Sequence, residues 1–447
     1  MQSLSTRSGH RPLALAALVL AALAACADEP TATRLPVPAD AQHEQMGTGP
    51  VITVTNTSGS DNVLGSLPWA FKQITSDAVI RFDPSLAGAT ITPNQSLRAE
   101  EFVTIEGPAN AGVTISGDNV RPVLTLRAGG TVRNLTLTKG EETLGSGVHG
   151  GTGPLRLENT AVADNRGTAV YGREVTLVNS TVSSNVAISS TSAASGVAYN
   201  VAGKLTLINS TVAFNTGAPG IGAHGIPGPI PTVVFKNSIL ANNAPQNCRD
   251  VLGFQYQGLN LANDASCGNA GNIVVLDPLL LALGNNGGPS PTHALYHRSA
   301  AINAGADCDV AVDQRHVPRD AFCDIGAFEF TDFTNVTIVI APNVIVNRLT
   351  GQAVVTGTVT CSRAEQENVG LVVTLAQAKK GNPAPVQGSA TTAVPCRTVP
   401  QPWSAAIVPQ SGTFTTGNAT ATARTNDTPT WFKPASVSKT VKLVWKK

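Results

Sequence analysis

The chain runs to 447 residues, past the length at which a single compact core stops growing, so several domains or a repeat solenoid is expected. Charged residues make up 13% and aromatics 4%, against a charged share of about 25% in typical soluble domains, while 42% hydrophobic residues exclude a disordered chain. A net charge of +1, with no lysine- or arginine-rich run, argues against nucleic acid as a partner, because phosphate neutralisation needs a basic patch. Gly, Asn, Ser and Thr alternate with Val, Leu and Ile, a texture that suits stacked short strands with tight corners.

The chain opens with Arg7, His10 and Arg11, followed by an apolar stretch from Leu13 to Ala22 that is too short to span a bilayer. Leu23-Ala24-Ala25-Cys26 then resembles a bacterial lipobox. The resemblance implies that residues 1–25 are a lipoprotein signal peptide and that Cys26 becomes acylated, making the membrane a partner through an N-terminal lipid anchor. Ala27, rather than Asp, follows the cysteine, which by the same analogy points to the outer membrane or cell surface. An ordinary secretory signal is the alternative, and export follows either way. Residues 26–48, with Pro30, Pro36 and Pro38, read as a flexible tether with a reach of roughly 25 Å.

A strand from Val51 is expected first, then an amphipathic helix around 65–74 with Leu64, Leu67, Phe71 and Ile74 on one face, a natural plug for the open end of a solenoid. Alternating runs follow at 78–83, 103–108, 113–118 and 123–127, each closed by Gly, Pro or Asp or, for the last, reaching Gly two residues on. From 132 the chain repeats itself: VRNLTLTKG, LRLENTAVADNRG, VTLVNSTVSSNVA, LTLINSTVAFNTG and VVFKNSILANNA. The first asparagines are Asn134, Asn159, Asn179, Asn209 and Asn237, and in the last four a second follows six residues on, at Asn165, Asn185, Asn215 and Asn243. Intervals of this size fit one solenoid coil, giving an all-β fold with a right-handed parallel β-helix over 49–330. Leu205, Leu207, Ile208 and Val212 are expected to point inward. Asn159, Asn179, Asn209 and Asn237 are expected at a corner, stacked as an amide ladder across coils about 4.8 Å apart; as N-S-T sequons some of them also admit glycosylation.

Residues 51–330 resemble exported parallel β-helix proteins of pectate-lyase-like fold that carry a choice-of-anchor Q segment. The resemblance rests on Asp277-Pro278-Leu279-Leu280, LALGNNGGPSPTHAL at 281–295, SAAINAG at 299–305 and DQRHVPRDAFCDIGAFE at 313–329, with His316 where the family usually has Gly. It also rests on GSLPWAFKQI at 65–74, where Pro68 replaces the usual Arg. A C-terminal cap folding back over the last coil is the expectation for this run.

Six cysteines remain beyond Cys26, an even number that reads as disulfides in an exported chain. Neighbour pairing (Cys248 with Cys267, Cys308 with Cys323, Cys361 with Cys396) is the simplest of fifteen connectivities. Zinc is the rival, but no C-x-x-C spacing occurs, so no metal and no cofactor are expected. Residues 331–447 alternate with strand periodicity and read as a small immunoglobulin-like β-sandwich, though Trp403 follows Cys396 rather than lying between the cysteines. Trp431 and Trp445 are either core or exposed platforms.

A lyase needs a base and often a cation cage, and a hydrolase needs two carboxylates at a set separation. Acids are sparse over 131–245: Glu141, Glu142, Glu158, Asp164 and Glu174. His149 and His224 sit in Gly-rich stretches without an acidic neighbour, which reads as a surface feature. The densest polar cluster is Asp313, Gln314, Arg315, Arg319, Asp324 and Glu329, with His293 near in sequence; Arg–carboxylate bonding in a cap is its expected role. Should an activity exist, His293, Asp313 and Arg315 are the catalytic candidates. The functional expectation is a non-catalytic surface lipoprotein in adhesion or polysaccharide binding; the alternative is a polysaccharide lyase or glycoside hydrolase.

Overall fold

The structure, a computed structural model, describes residues 49–189, 193–225, 232–249, 254–268, 271–365, 368–379, 382–426 and 432–446. The signal segment, Cys26, the tether and Trp431 lie outside the described residues.

A short α-helix, Leu67–Lys72, closes the N-terminal end. The Ser66 hydroxyl caps it by accepting from the Trp69 N–H (3.1 Å), and Pro68 fits the first turn, where its missing N–H costs nothing. Leu67, Ala70 and Phe71 turn inward, but Leu64 is 74% exposed. Leu64 precedes the cap, so the helical face expected from its spacing starts one turn later.

The body is a right-handed parallel β-helix, the hand that parallel crossovers take. Among the described residues, one parallel sheet of 14 strands wraps two faces of each coil and one of nine strands forms the third. Arg166–Val178 and Val197–Ile208 are long because each bends from one face onto the next. Register is held coil after coil: Leu157 pairs with Leu177, Leu177 with Leu207, and Leu207 with Phe235. These four fill the lumen with Leu205, Val162, Val182, Val212 and Leu240. Ile208 is a correction: strand alternation turns it outward, away from Leu205 and Leu207, and it is covered from outside.

The asparagine ladder is a second correction. Asn159, Asn179, Asn209 and Asn237 do occupy left-handed corners (φ 45 to 49°), which asparagine tolerates better than other side chains. Their amides do not bond to one another. The ladder is built by the second asparagine of each repeat. The Asn165 amide donates to Asn185 Oδ1 (3.0 Å), Asn185 to Asn215 (2.8 Å), Asn215 to Asn243 (2.8 Å) and Asn243 to Asn247 (2.9 Å). Each backbone N–H of Asn165, Asn185 and Asn215 donates to the same oxygen above it.

The 277–330 run does not plug the end of the solenoid, as expected for a cap, but lies lengthwise along its flank as a strap. Gly112 N donates to Pro289 O (3.0 Å), Thr181 Oγ1 to Gln314 Oε1 (2.7 Å), and Gly326 N to Asn237 O (2.8 Å), so the strap touches early, middle and late coils. It covers the outer face of the nine-stranded sheet, where Ile239, Ala241 and Leu261 meet Leu295, Ile302, Ile325 and Phe328 in a second core. Strands such as Ala161–Ala163 and Thr211–Ala213 are therefore buried on both faces.

Disulfides join Cys248 to Cys267, Cys308 to Cys323 and Cys361 to Cys396, the neighbour pairing expected. After the strap the chain forms the β-sandwich. One layer holds Thr334–Ile340, Ala353–Cys361 and Gln401–Ile407; the other holds Asn382–Pro395, Asn368–Lys379, Gly417–Thr425 and Ser436–Trp445, with Asn343–Val346 parallel to the last. That order is immunoglobulin-like. Trp403 lies in its core and Trp445 at the core's edge.

Candidate functional site

Two of the catalytic candidates, Asp313 and Arg315, lie in a buried ionic cluster of the strap. Arg315 donates from Nε and Nη2 to Asp313 Oδ2 (2.8 and 2.6 Å), and its guanidinium lies 3.5 Å from the Phe328 ring centroid. Asp313 also accepts from the backbone N–H groups of Arg315, Val317 and Glu329. Arg319 donates to Glu329 Oε2 (3.0 Å), to Asn179 Oδ1 (3.2 Å) and to the carbonyls of Gly326 and Asp324. Three buried carboxylates thus face two guanidiniums. Burial, and then the Glu329 charge, push the Asp324 carboxyl up to about 8, and burial raises Glu329 as well. One retained proton leaves the cluster neutral, which suits its burial.

His293 is not joined to this pair. Its Nδ1 donates to Leu281 O (2.7 Å), since a carbonyl can only accept, so Nε2 accepts from the Ser183 hydroxyl (2.8 Å). Burial lowers its pKa, and its ring packs 5.0 Å from Phe214. Asp313 is 0% exposed and His293 3%. With the strap in place a polymer chain reaches neither, and the bonds of Asp313, Arg315 and His293 are those of a fastening.

The strap is fastened to the corner asparagines. The Asn179 amide donates to Val312 O (2.8 Å), Asn237 to Ala306 O (2.7 Å), and Asn159 meets His316 Nε2 (3.1 Å). Asn209, 1% exposed, finds no partner for either end of its amide.

On a face formed by the 14-stranded sheet, the structure brings together two histidines that the sequence left apart. His149 and Tyr171 are register partners with ring centroids 5.0 Å apart, and Tyr171 meets His224 edge-on at 5.6 Å. The next register positions after Tyr171 are Ala198 and Gly222. Being small, they let the tyrosine ring lie across them and against Ala193 and Ala194. All three rings are half-buried, so each is held by the scaffold with an edge in solvent. His149 Nδ1 accepts from Gly151 N–H (3.1 Å), so in the neutral ring the proton sits on Nε2 as a donor. Burial, and then the Arg127 charge, hold its pKa below the usual range. Tyr171 had not been singled out from sequence. Its signal was the match of Val148-His149-Gly150 to Val170-Tyr171-Gly172, one coil apart.

Among the described residues no group of three or more His, Cys, Asp or Glu side chains is placed to hold a metal ion. No described helix is long and apolar enough to cross a membrane. No family model matches the chain, and no curated protein does. Among solved structures, a cell-surface-expressed multi-modular chitinase of Paenibacillus sp. str. FPU-7 aligns at 10% identity and TM-score 0.15, covering 88% of this chain but only 24% of its own. The tailspike protein of Acinetobacter phage vB_ApiP_P1 aligns at 10% identity and TM-score 0.24, over 88% of each chain. Neither likeness bears on the activity of this chain.

Proposed function

We propose that this is an exported surface protein that binds glycans without turning them over, through the His149–Tyr171–His224 face. The observation that carries the proposal is the three-ring row itself. An aromatic ring offers an apolar face for a pyranose, and flanking imidazoles offer donors and acceptors for its hydroxyls. Rigid strands hold all three, so little ordering cost is left for binding. Three disulfides fit an oxidising, extracytoplasmic compartment. The reading includes a lipid anchor at Cys26, a tether that lets the body stand clear of the membrane, and a choice-of-anchor Q-like strap that stiffens the solenoid.

A calorimetric panel of neutral and acidic polysaccharides tests it. At least one should bind, and Tyr171→Ala should weaken that binding at least tenfold while leaving the melting temperature near that of the parent. Measured turnover, lost on replacing His149, would replace this reading with a lyase or hydrolase. Binding that survives Tyr171→Ala would move the site elsewhere.

A further inference from the structure

We propose that the end of the sandwich farthest from the solenoid is a docking tip for an anionic lipid surface. Residues 331–447 hold eleven lysines and arginines against four acids, a net +7 in a chain whose total is +1, so the first 330 residues carry −6. The two acids among the described residues, Asp332 and Glu365, lie at the solenoid end. Glu365 accepts from Thr334 Oγ1 and lies 3.5 Å from His297 of the strap, and Asp332 pairs with Arg363.

The opposite end is different. The pairings of Val346 with Trp445, Ala353 with Ile407, Gly417 with Leu443 and Asn382 with Lys379 bring there, among the described residues, 347–352, Lys379, Asn382, 408–416 and Lys446. None of these is an acid, and they include Arg348, Lys379 and Lys446. At the apex of the first, Leu349 is 97% exposed, the most exposed large hydrophobic among the described residues; Val408, at the same end, is 62% exposed. The Leu349 turn is rigid, because Asn347 Oδ1 accepts from the N–H groups of Leu349 (2.8 Å) and Thr350 (3.2 Å). Beside it the Arg348 guanidinium lies 5.3 Å from the Trp445 ring centroid.

Bare leucine, a half-buried tryptophan and several cations without a nearby acid match the layers of a bilayer surface. The apolar tip enters the headgroup boundary, the indole sits at the interface, and the cations meet anionic headgroups. A dissolved polyanion would use the cations but has no use for Leu349, and this favours lipid. The inference is independent of the glycan face and of the Cys26 anchor.

The test is co-sedimentation of the full chain carrying Cys26→Ser, so that no acyl chain contributes. It is run with vesicles of phosphatidylcholine alone and of equal parts phosphatidylcholine and phosphatidylglycerol. The tip should bind the anionic vesicles only, and less as salt rises. Arg348→Ser and Lys446→Ser should each weaken binding about fivefold. Leu349→Ser should weaken it without changing the salt dependence. Unchanged melting temperatures confirm that these exposed substitutions spare the fold. No binding to either vesicle, equal binding to both, or tip variants that bind like the parent would overturn the proposal. If polyphosphate binds and Leu349→Ser leaves vesicle binding intact, the partner is a soluble polyanion and the lipid assignment fails.

Discussion

Asn215 and Asn209 lie six residues apart in one coil, are both fully buried, and recur in the neighbouring coils at matching positions. The Asn215 side chain bonds on both sides to its own kind and to backbone, whereas the Asn209 side chain bonds to nothing and its equivalents bond to the strap. Repetition fixes where a residue recurs, but its partner depends on which side of the wall the side chain faces. The inner row meets another coil, so coil spacing satisfies it. The outer row meets a segment from 69 to 157 residues later, which need not repeat in step, and Asn209 falls where the strap has nothing to offer.

The largest expected effect lies on the outer side. Arg319→Met removes the guanidinium shared by Glu329 and Asn179 and should cost about 3–5 kcal/mol in denaturant unfolding, because acids are left buried without their counter-ion. A loss below about 1 kcal/mol would mean that the strap is held by its apolar face alone.

Asn215→Ala should come next, at about 2–3 kcal/mol, since it strands the Asn185 amide and backbone N–H together. Stability should also depend on pH through Asp324. Its carboxyl is raised from 3.8 to about 8, so the fold favours the protonated form; that contribution is complete below about 3.8 and is lost as pH rises through about 8. Unfolding measured from pH 4 to 9 should therefore show a decline that Asp324→Asn flattens, and an unchanged slope would place the proton elsewhere. His293, lowered by burial, acts in the opposite sense: its contribution is present above 6.5 and lost as pH falls. The smallest effect is expected for Asn209→Gly, within about 1 kcal/mol, because glycine keeps the left-handed corner and no hydrogen bond is broken. A cost equal to that of Asn215→Ala would erase the distinction between the two rows.

Much of the fold was legible because it is local. Alternation in VTLVNSTV and LTLINSTV gave the strands and the inward Leu205, Leu207 and Val212, and each disulfide closes a loop within a few strands. What was not legible depends on distant partners. Ile208 looks like a core residue by composition, and only the alternation from Leu205 and Leu207 turns it outward. The charged run from Asp313 to Glu329 announces buried ion pairs but not whether they sit on an end or along a flank. His149 and His224 looked isolated because the ring between them, Tyr171, belongs to another coil and is joined to them only by register.

The central claim is that ligand is met on the open three-ring face and not beneath the strap. Hydrogen–deuterium exchange of the full chain, with and without the polysaccharide that binds most tightly in the panel, tests this most directly. The account predicts new protection around residues 147–151, 170–172 and 221–224, and none at 312–329. Protection confined to 312–329, or exchange there accelerated by ligand, would contradict it and return His293, Asp313 and Arg315 to the centre of the function.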